Sequence, residues 1–136
     1  MNAPRENWNS LQISRGIRLE RAAAAGLGRI VPAAKTKDLL EAVIQPGDRV
    51  CIEGNNQKQA DFLSEILASV DSSKVNNLHI VQSVLALPSH IDVFERGIAS
   101  KLDFSFSGPQ AGRLAKLVQE ERIEIGAIHT LSLIHI

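Results

Sequence analysis

The sequence predicts an α/β fold: an open, mainly parallel sheet with helices on both faces. Three observations carry this reading. Short apolar runs alternate with amphipathic stretches in the order strand, helix, strand, helix, strand, helix, strand, which implies βαβ units with right-handed crossovers. Gly, Pro and Asn punctuate almost every junction,. At 136 residues and 44% hydrophobic, the chain is long enough to bury a core and too apolar to be disordered.

The elements follow in order. Residues 1–10 lack periodicity and read as an extended arm. Ser10 or Ser14 can cap a helix through about Ala25, which the Ala22–Ala25 run favours,. Gly26 and Gly28 stop it, and Val31-Pro32 forms an extended link,. Thr36 can cap a helix through Ile44, with Leu39, Leu40, Val43 and Ile44 at helical spacing,. Gln45-Pro46-Gly47-Asp48 is a turn, because Pro presets φ and Gly accepts a positive one,. Arg49–Glu53 is a short buried strand with Cys51 as inert core,. A helix from Gln57 to Val70 places Phe62, Leu63, Ile66, Leu67 and Val70 on one face,.

Residues 71–77 form a polar loop. Leu78–Leu87 starts as a strand and is broken by Pro88,. Ser89 caps a helix holding Ile91, Phe94, Ile98 and Ala99. Leu102–Ser107 alternates apolar and polar residues, as a strand does,. Gly108-Pro109 opens a helix with Leu114, Leu117 and Val118,. Ile123–His129 is the last strand.

Composition excludes several function classes. Fifteen Lys+Arg balance fifteen Asp+Glu, so no global charge draws the chain to nucleic acid. No apolar run is long enough for a membrane span, and no signal-peptide pattern opens the chain,. One Cys excludes an internal disulfide and a Cys-based zinc cluster,. A cytoplasmic protein without metal is expected. Residues 1–34 hold five Arg against two Glu. They read as a solvated helix face in preference to an arm that docks on an acidic partner.

In open α/β sheets ligands bind beyond the carboxyl ends of the strands. That rule selects Gly54, Asn55, Asn56, Gln57 and Lys58 after the first strand, and Ser107, Gly108 and Gln110 after the third. The first group joins a buried strand to an amphipathic helix without an apolar side chain. Gly permits close approach, Asn can cap, and a helix amino terminus with Lys58 favours an anion. The same residues also suit a plain polar turn, and Ser107–Gln110 suits a tight turn with Pro at the first helical position. His79 reads as a hydrogen-bonded core histidine inside a strand, His90 as exposed, and His129 as structural although it ends a strand,. Glu53 and Asp103 form no carboxylate pair with an argued geometry.

The stretch LLEAVIQPGDRVCIEGNNQKQADFL (residues 39–63) closely resembles the amino-terminal region of malonate decarboxylase α subunits. So do the opening MNAPRENWN, residues 78–118 with FERGIASKLDFSFSGPQ, and IEIGAIHT (123–130). The resemblance implies a coenzyme A transferase-like fold of which this is the amino-terminal part. It implies transfer of an acyl carrier protein thioester from acetate to malonate, giving malonyl-carrier and acetate. The carrier would bear a phosphopantetheine-type, dephospho-coenzyme-A-derived group, with no cofactor bound to this chain directly. Carboxy-lyase subunits would complete the complex. No catalytic residue carries over, because related transferases place their glutamyl nucleophile well beyond this segment. Citrate lyase α subunits or other coenzyme A transferases are the enzymatic alternative. A non-catalytic phosphate-binding or complex-docking module is the other.

The resemblance stops at Thr130. Leu131–Ile136 (LSLIHI) instead matches the translation of a transposon-end sequencing adapter, CTG TCT CTT ATA CAC ATC. The expected organisation is therefore an arm and helix over 1–34, an incomplete transferase-like domain over 35–130, and an adapter-derived tail over 131–136. Such a stretch is expected to be inactive by itself and prone to aggregate through its open sheet edge.

Overall fold

The computed structural model describes residues 8–25, 30–53, 60–106 and 108–127. The chain divides into two compact units, Met1–Val43 and Ile44–Ile136. The division falls after Val43, whereas the sequence placed it at residue 34.

The first unit pairs helix α1 (Trp8–Ala25) with helix α2 (Thr36–Val43), joined through a 3-10 turn at Ala33–Lys35. Residues 8–10 are helical, not extended as expected, so α1 begins two residues before the first proposed cap. Ile13, Ile17 and Leu19 of α1 are exposed. Thr36 opens α2 with a buried side chain, and its N–H bonds Ala33 O.

The second unit is a four-stranded parallel sheet in the order β1 (Arg49–Ile52), β2 (Leu78–Val84), β3 (Ala99–Phe106), β4 (Glu124–Ala127). Helices α3 (Asp61–Ala68), α4 (Ser89–Glu95) and α5 (Ala111–Gln119) connect them. The α/β class and the parallel sheet are as expected. A sequential strand order with right-handed crossovers sets all three helices on one face, so this unit's described residues supply no helix to the other. The helix-facing side carries the core: Ile52, Ile80 and Leu102 from the strands, with Leu67, Phe94, Leu114 and Leu117 from the helices.

Strand alternation corrects the reading of Cys51. Ile52 is buried on the helix side, so its neighbour Cys51 turns to the opposite face and is exposed,. In α3 the buried residues are Ser64, Leu67 and Ala68, while Phe62 and Leu63 are exposed. The inward stripe is thus rotated from the expected one. Helix α3 packs against α4, and Arg96 of the α4 stop donates to Ala68 O at 2.8 Å.

The turn at Gln45–Asp48 forms as expected. Asp48 N–H bonds Gln45 O at 3.1 Å, and the Asp48 carboxylate accepts Gln45 N–H at 2.9 Å. Gly47 adopts φ +83°, the position where such a turn needs a residue without Cβ.

Helix α4 ends earlier than its apolar spacing implies. Gly97 takes φ +73°, its N–H bonds Phe94 O at 3.1 Å, and Ile98 N–H bonds Val93 O at 2.9 Å. This is a Schellman stop, and it sends Ile98 and Ala99 towards β3 instead of continuing the helix. Helix α5 ends on the same pair of bonds, Glu121 N–H to Val118 O and Arg122 N–H to Leu117 O, both 3.0 Å. There the left-handed residue is Glu121, φ +53°.

Arg113 ties α5 to α4. Its guanidinium donates to both oxygens of Glu95, at 3.0 and 2.7 Å, and to Asp92 at 2.6 Å. These hydrogen bonds hold the Glu95 carboxyl below its ordinary value and raise Arg113 above its own. A carboxylate held low stabilises the fold above its unfolded pKa and loses that contribution as pH falls through the folded one. Arg113→Ala is expected to cost about 1 kcal/mol near neutrality, since the groups are about one-third exposed,. Urea unfolding at a series of pH values should show the difference from wild type shrinking between about pH 6 and pH 3.

Candidate functional site

The carboxyl ends of the strands are where the fold directs a ligand. Gly54, Asn55, Asn56, Gln57, Lys58 and Ser107 lie outside the described residues, as does His129. Gly108 and Gln110 are described; Gly108 lies beside the connection between β2 and α4, and Gln110 bonds it. Gly108 adopts φ +53°, and a Cβ there would stand 3.2 Å from Leu85 O. Gln110 Nε2 donates to Ala86 O at 3.4 Å. His90 Nδ1 accepts Leu87 N–H at 3.3 Å, and Arg113 Nη1 donates to Pro88 O at 3.3 Å. Three consecutive residues, 86–88, are therefore held at their backbone from α4, α5 and the 3-10 turn at Gly108–Gln110, and Leu85 O faces Gly108. Sequence reasoning missed this connection, because its apolar side chains look like continued strand.

His90 corrects a second expectation. It is buried, not exposed, and Gln82 lies beside it with 2.8 Å between Gln82 Nε2 and His90 Nδ1. The helix-side position of Gln82 on β2 puts its carboxamide in the core, and α4 carries His90 down to meet it. Gln82 Oε1 is buried with no hydrogen-bond partner among the described residues.

A second cluster lies at the opposite ends of the strands, on the face away from the helices. Arg49 Nε–H donates to His79 Nδ1 at 3.2 Å. The imidazole proton is therefore on Nε2, which donates to Asp103 Oδ2 at 2.8 Å,. Strand register builds this line: Arg49 pairs with His79, Val81 with Asp103, and Asp103 with Gly126. A Cβ on Gly126 would overlap the Asp103 carboxylate. His79 and Asp103 are part-buried. His79 is hydrogen-bonded as expected but is not core: it is part-buried on the face opposite Leu78 and Ile80, and its partners were legible only as same-face positions on neighbouring strands. Beside it is a hollow of about 590 Å³ lined in part by Gly47, Asn77, His79, Ser100, Lys101 and Glu124.

The family model described as "Malonate decarboxylase, alpha subunit, transporter" matches residues 7–135, running past Thr130. This chain belongs to the malonate decarboxylase α-subunit family. A curated relative, the acetyl-S-ACP:malonate ACP transferase of Malonomonas rubra, is 57% identical over 102 residues, covering 75% of this chain. The crystal structure of a malonate decarboxylase α subunit from Acinetobacter baumannii is 44% identical with a TM-score of 0.87, covering 91% of the chain. That of a Pseudomonas malonate decarboxylase hetero-tetramer in complex with malonate is 50% identical with a TM-score of 0.86, covering 93%. The chain spans 18% of the curated relative's length and 23% of each solved chain.

The α/β fold of this α-subunit family segment thus rests on both its sheet and its solved relatives. Among the described residues no three His, Cys, Asp or Glu side chains could hold a metal ion. None of the described helices is long and apolar enough to cross a membrane.

The line from Arg49 to Gly126 gives a double-mutant test. Gly126→Ala is expected to cost about 1–3 kcal/mol, because Asp103 must leave its place beside His79. With Asp103→Ala already present, the same change should cost under about half as much. Denaturant unfolding of the four proteins checks the coupling, and full additivity would show that Asp103 does not fill that space.

Proposed function

We propose that this chain is the amino-terminal α/β part of an acyl-carrier-protein transferase that exchanges acetate for malonate. The 57% identity to a named acetyl-S-ACP:malonate ACP transferase carries this reading. It also favours malonate over the citrate alternative. In the proposed reaction a malonate carboxylate oxygen attacks the acetyl thioester carbonyl of the carrier. The C–S bond breaks, leaving a mixed anhydride and a thiolate. The thiolate then attacks the malonyl carbonyl of the anhydride, forming malonyl-carrier and releasing acetate. Each addition passes through an oxyanion that needs fixed donors.

The connection held at residues 86–88 supports a role for this rim, because donors act best when they do not reorganise. Gly54–Lys58, between β1 and α3, would supply backbone N–H groups and the Lys58 charge to malonate or to the phosphates of the carrier arm. Ser107, Gly108 and Gln110 would line the second side. The carrier arm, of phosphopantetheine type, belongs to the acyl carrier protein, and carboxy-lyase subunits would remove CO₂ from malonyl-carrier. The assembly is proposed to work in the cytoplasm.

The test uses the full-length subunit and acetyl-carrier. Acetate release that depends on malonate and not on citrate is the expected result. Lys58→Met should raise the KM for malonate or carrier by about tenfold, in line with one lost charge-assisted contact. Carrier binding without any exchange would overturn the transferase reading, and citrate dependence would overturn the choice of acid.

A further inference from the structure

We propose that His90 is a positioning residue of the carboxyl-end rim, and that only its neutral form holds the connection between β2 and α4 in place. The inference rests on the transferase reading of that rim. The start of α4 carries the argument. Leu87 O accepts His90 N–H at 3.1 Å, and Leu87 N–H donates back to His90 Nδ1 at 3.3 Å. This reciprocal pair has the form of a capping box, in which the accepting side chain is usually Glu or Gln. Here the acceptor is an imidazole nitrogen, which accepts only while it is unprotonated. A peptide N–H can only donate. Nδ1 therefore carries no proton, and His90 is neutral with its ring proton on Nε2,.

The same logic orients Gln82. The group 2.8 Å from Nδ1 is its amide nitrogen, because Nδ1 has no proton to give,. The carboxamide oxygen is left buried with no partner among the described residues. A buried acceptor without a donor is costly, and one proton removes that cost. Placed on Nδ1, it would donate to Oε1 after a half-turn of the carboxamide. Leu87 N–H would then have lost its acceptor. Protonation thus exchanges which group is satisfied, Gln82 Oε1 or Leu87 N–H. It releases one of the three side-chain ties that hold residues 86–88.

The described charged groups on the surrounding elements are paired, exposed or on the other face. On α4, Asp92 and Glu95 are bound by Arg113 of α5, which also donates to Pro88 O. Arg96, at the α4 stop, donates to Ala68 O of α3. Asp61 and Glu65 of α3 are exposed, as are Lys116 of α5 and Glu120 at its end. His79 of β2 and Lys101 and Asp103 of β3 lie on the face of the sheet away from the helices. The direct partners of Nδ1 are the uncharged Gln82 and Leu87.

Amide hydrogen exchange and turnover of the full-length subunit test this between about pH 8 and about pH 5. Corrected for intrinsic exchange, the Leu87 amide of the wild type should lose protection by about tenfold or more as pH falls across that range. His90→Asn puts an amide oxygen where Nδ1 stood, which accepts at every pH, and should keep the protection within about twofold. Gln82→Met removes the oxygen that receives the Nδ1 proton, and should move the loss to lower pH. Malonate and carrier titrate alike for every variant. The ratio of wild-type kcat/KM to that of His90→Asn, for malonate-dependent acetate release, should therefore fall by about tenfold over the same range. Wild-type protection that does not change with pH would overturn the proposal without any variant. So would the same pH dependence in folded His90→Asn, or lost protection with an unchanged kcat/KM ratio. Absence of turnover in every protein would instead overturn the transferase reading, while exchange at Leu87 would still decide whether His90 holds the connection.

Discussion

The strictly sequential parallel order of β1 to β4 is the constraint on which the rest of the second unit depends. With right-handed crossovers it sends α3, α4 and α5 to one side,. Each strand must then place its apolar alternate residues there. Ile52, Ile80 and Leu102 do so, and the intervening positions pass to the other face as Cys51, His79, Lys101 and Asp103. A one-residue slip in any strand would exchange these sets. The register therefore settles which residues make core and which make the polar line from Arg49 to Gly126.

Helix stops act together with that register. The left-handed residues Gly97 and Glu121 end α4 and α5 with the same two hydrogen bonds. Each stop determines where the next strand begins, and so brings Ser100, Lys101 and Glu124 level with His79. Glycine adopts this conformation at no steric cost, while a glutamate does so at a cost of about 1 kcal/mol. The α5 stop is thus imposed by the packing of Leu117 and Ile123 around it, not by the local preference of its residue.

This explains which parts were legible in the sequence. The number and type of the sheet unit's elements follow from periodicity, and Gln45–Asp48 from turn chemistry. Boundaries set by tertiary bonds were not legible: Ile98 and Ala99 fit a helix stripe equally well, and only the bonds at Gly97 divert them. Side-chain fate failed where a neighbour decides it. Cys51 looked like core because it sits among apolar residues, yet alternation turns it out. His90 looked exposed because it follows Pro88, yet Gln82 below it is another buried polar residue. Of the expected site residues, Gly108 and Gln110 are described, and both lie beside a connection that side-chain type alone did not mark, with Gln110 bonded to Ala86 O.

That connection shows how the core and the rim are joined. A segment that has left a sheet must find partners for its peptide groups or stay in water. Residues 85–88 leave β2 with Leu85 fully buried, so solvent cannot serve them all. Leu87 N–H is taken by His90, Ala86 O by Gln110 and Pro88 O by Arg113, while the lack of a side chain at Gly108 leaves room beside Leu85 O. The polar side chains that serve this backbone come from α4, α5 and the 3-10 turn, and Arg113 also joins α4 to α5 through Glu95 and Asp92. Moving the connection would therefore break bonds in all three elements at once. The rim between β2 and α4 has its backbone set by the core beneath it, which is the preorganisation that oxyanion chemistry at this edge of a sheet would require.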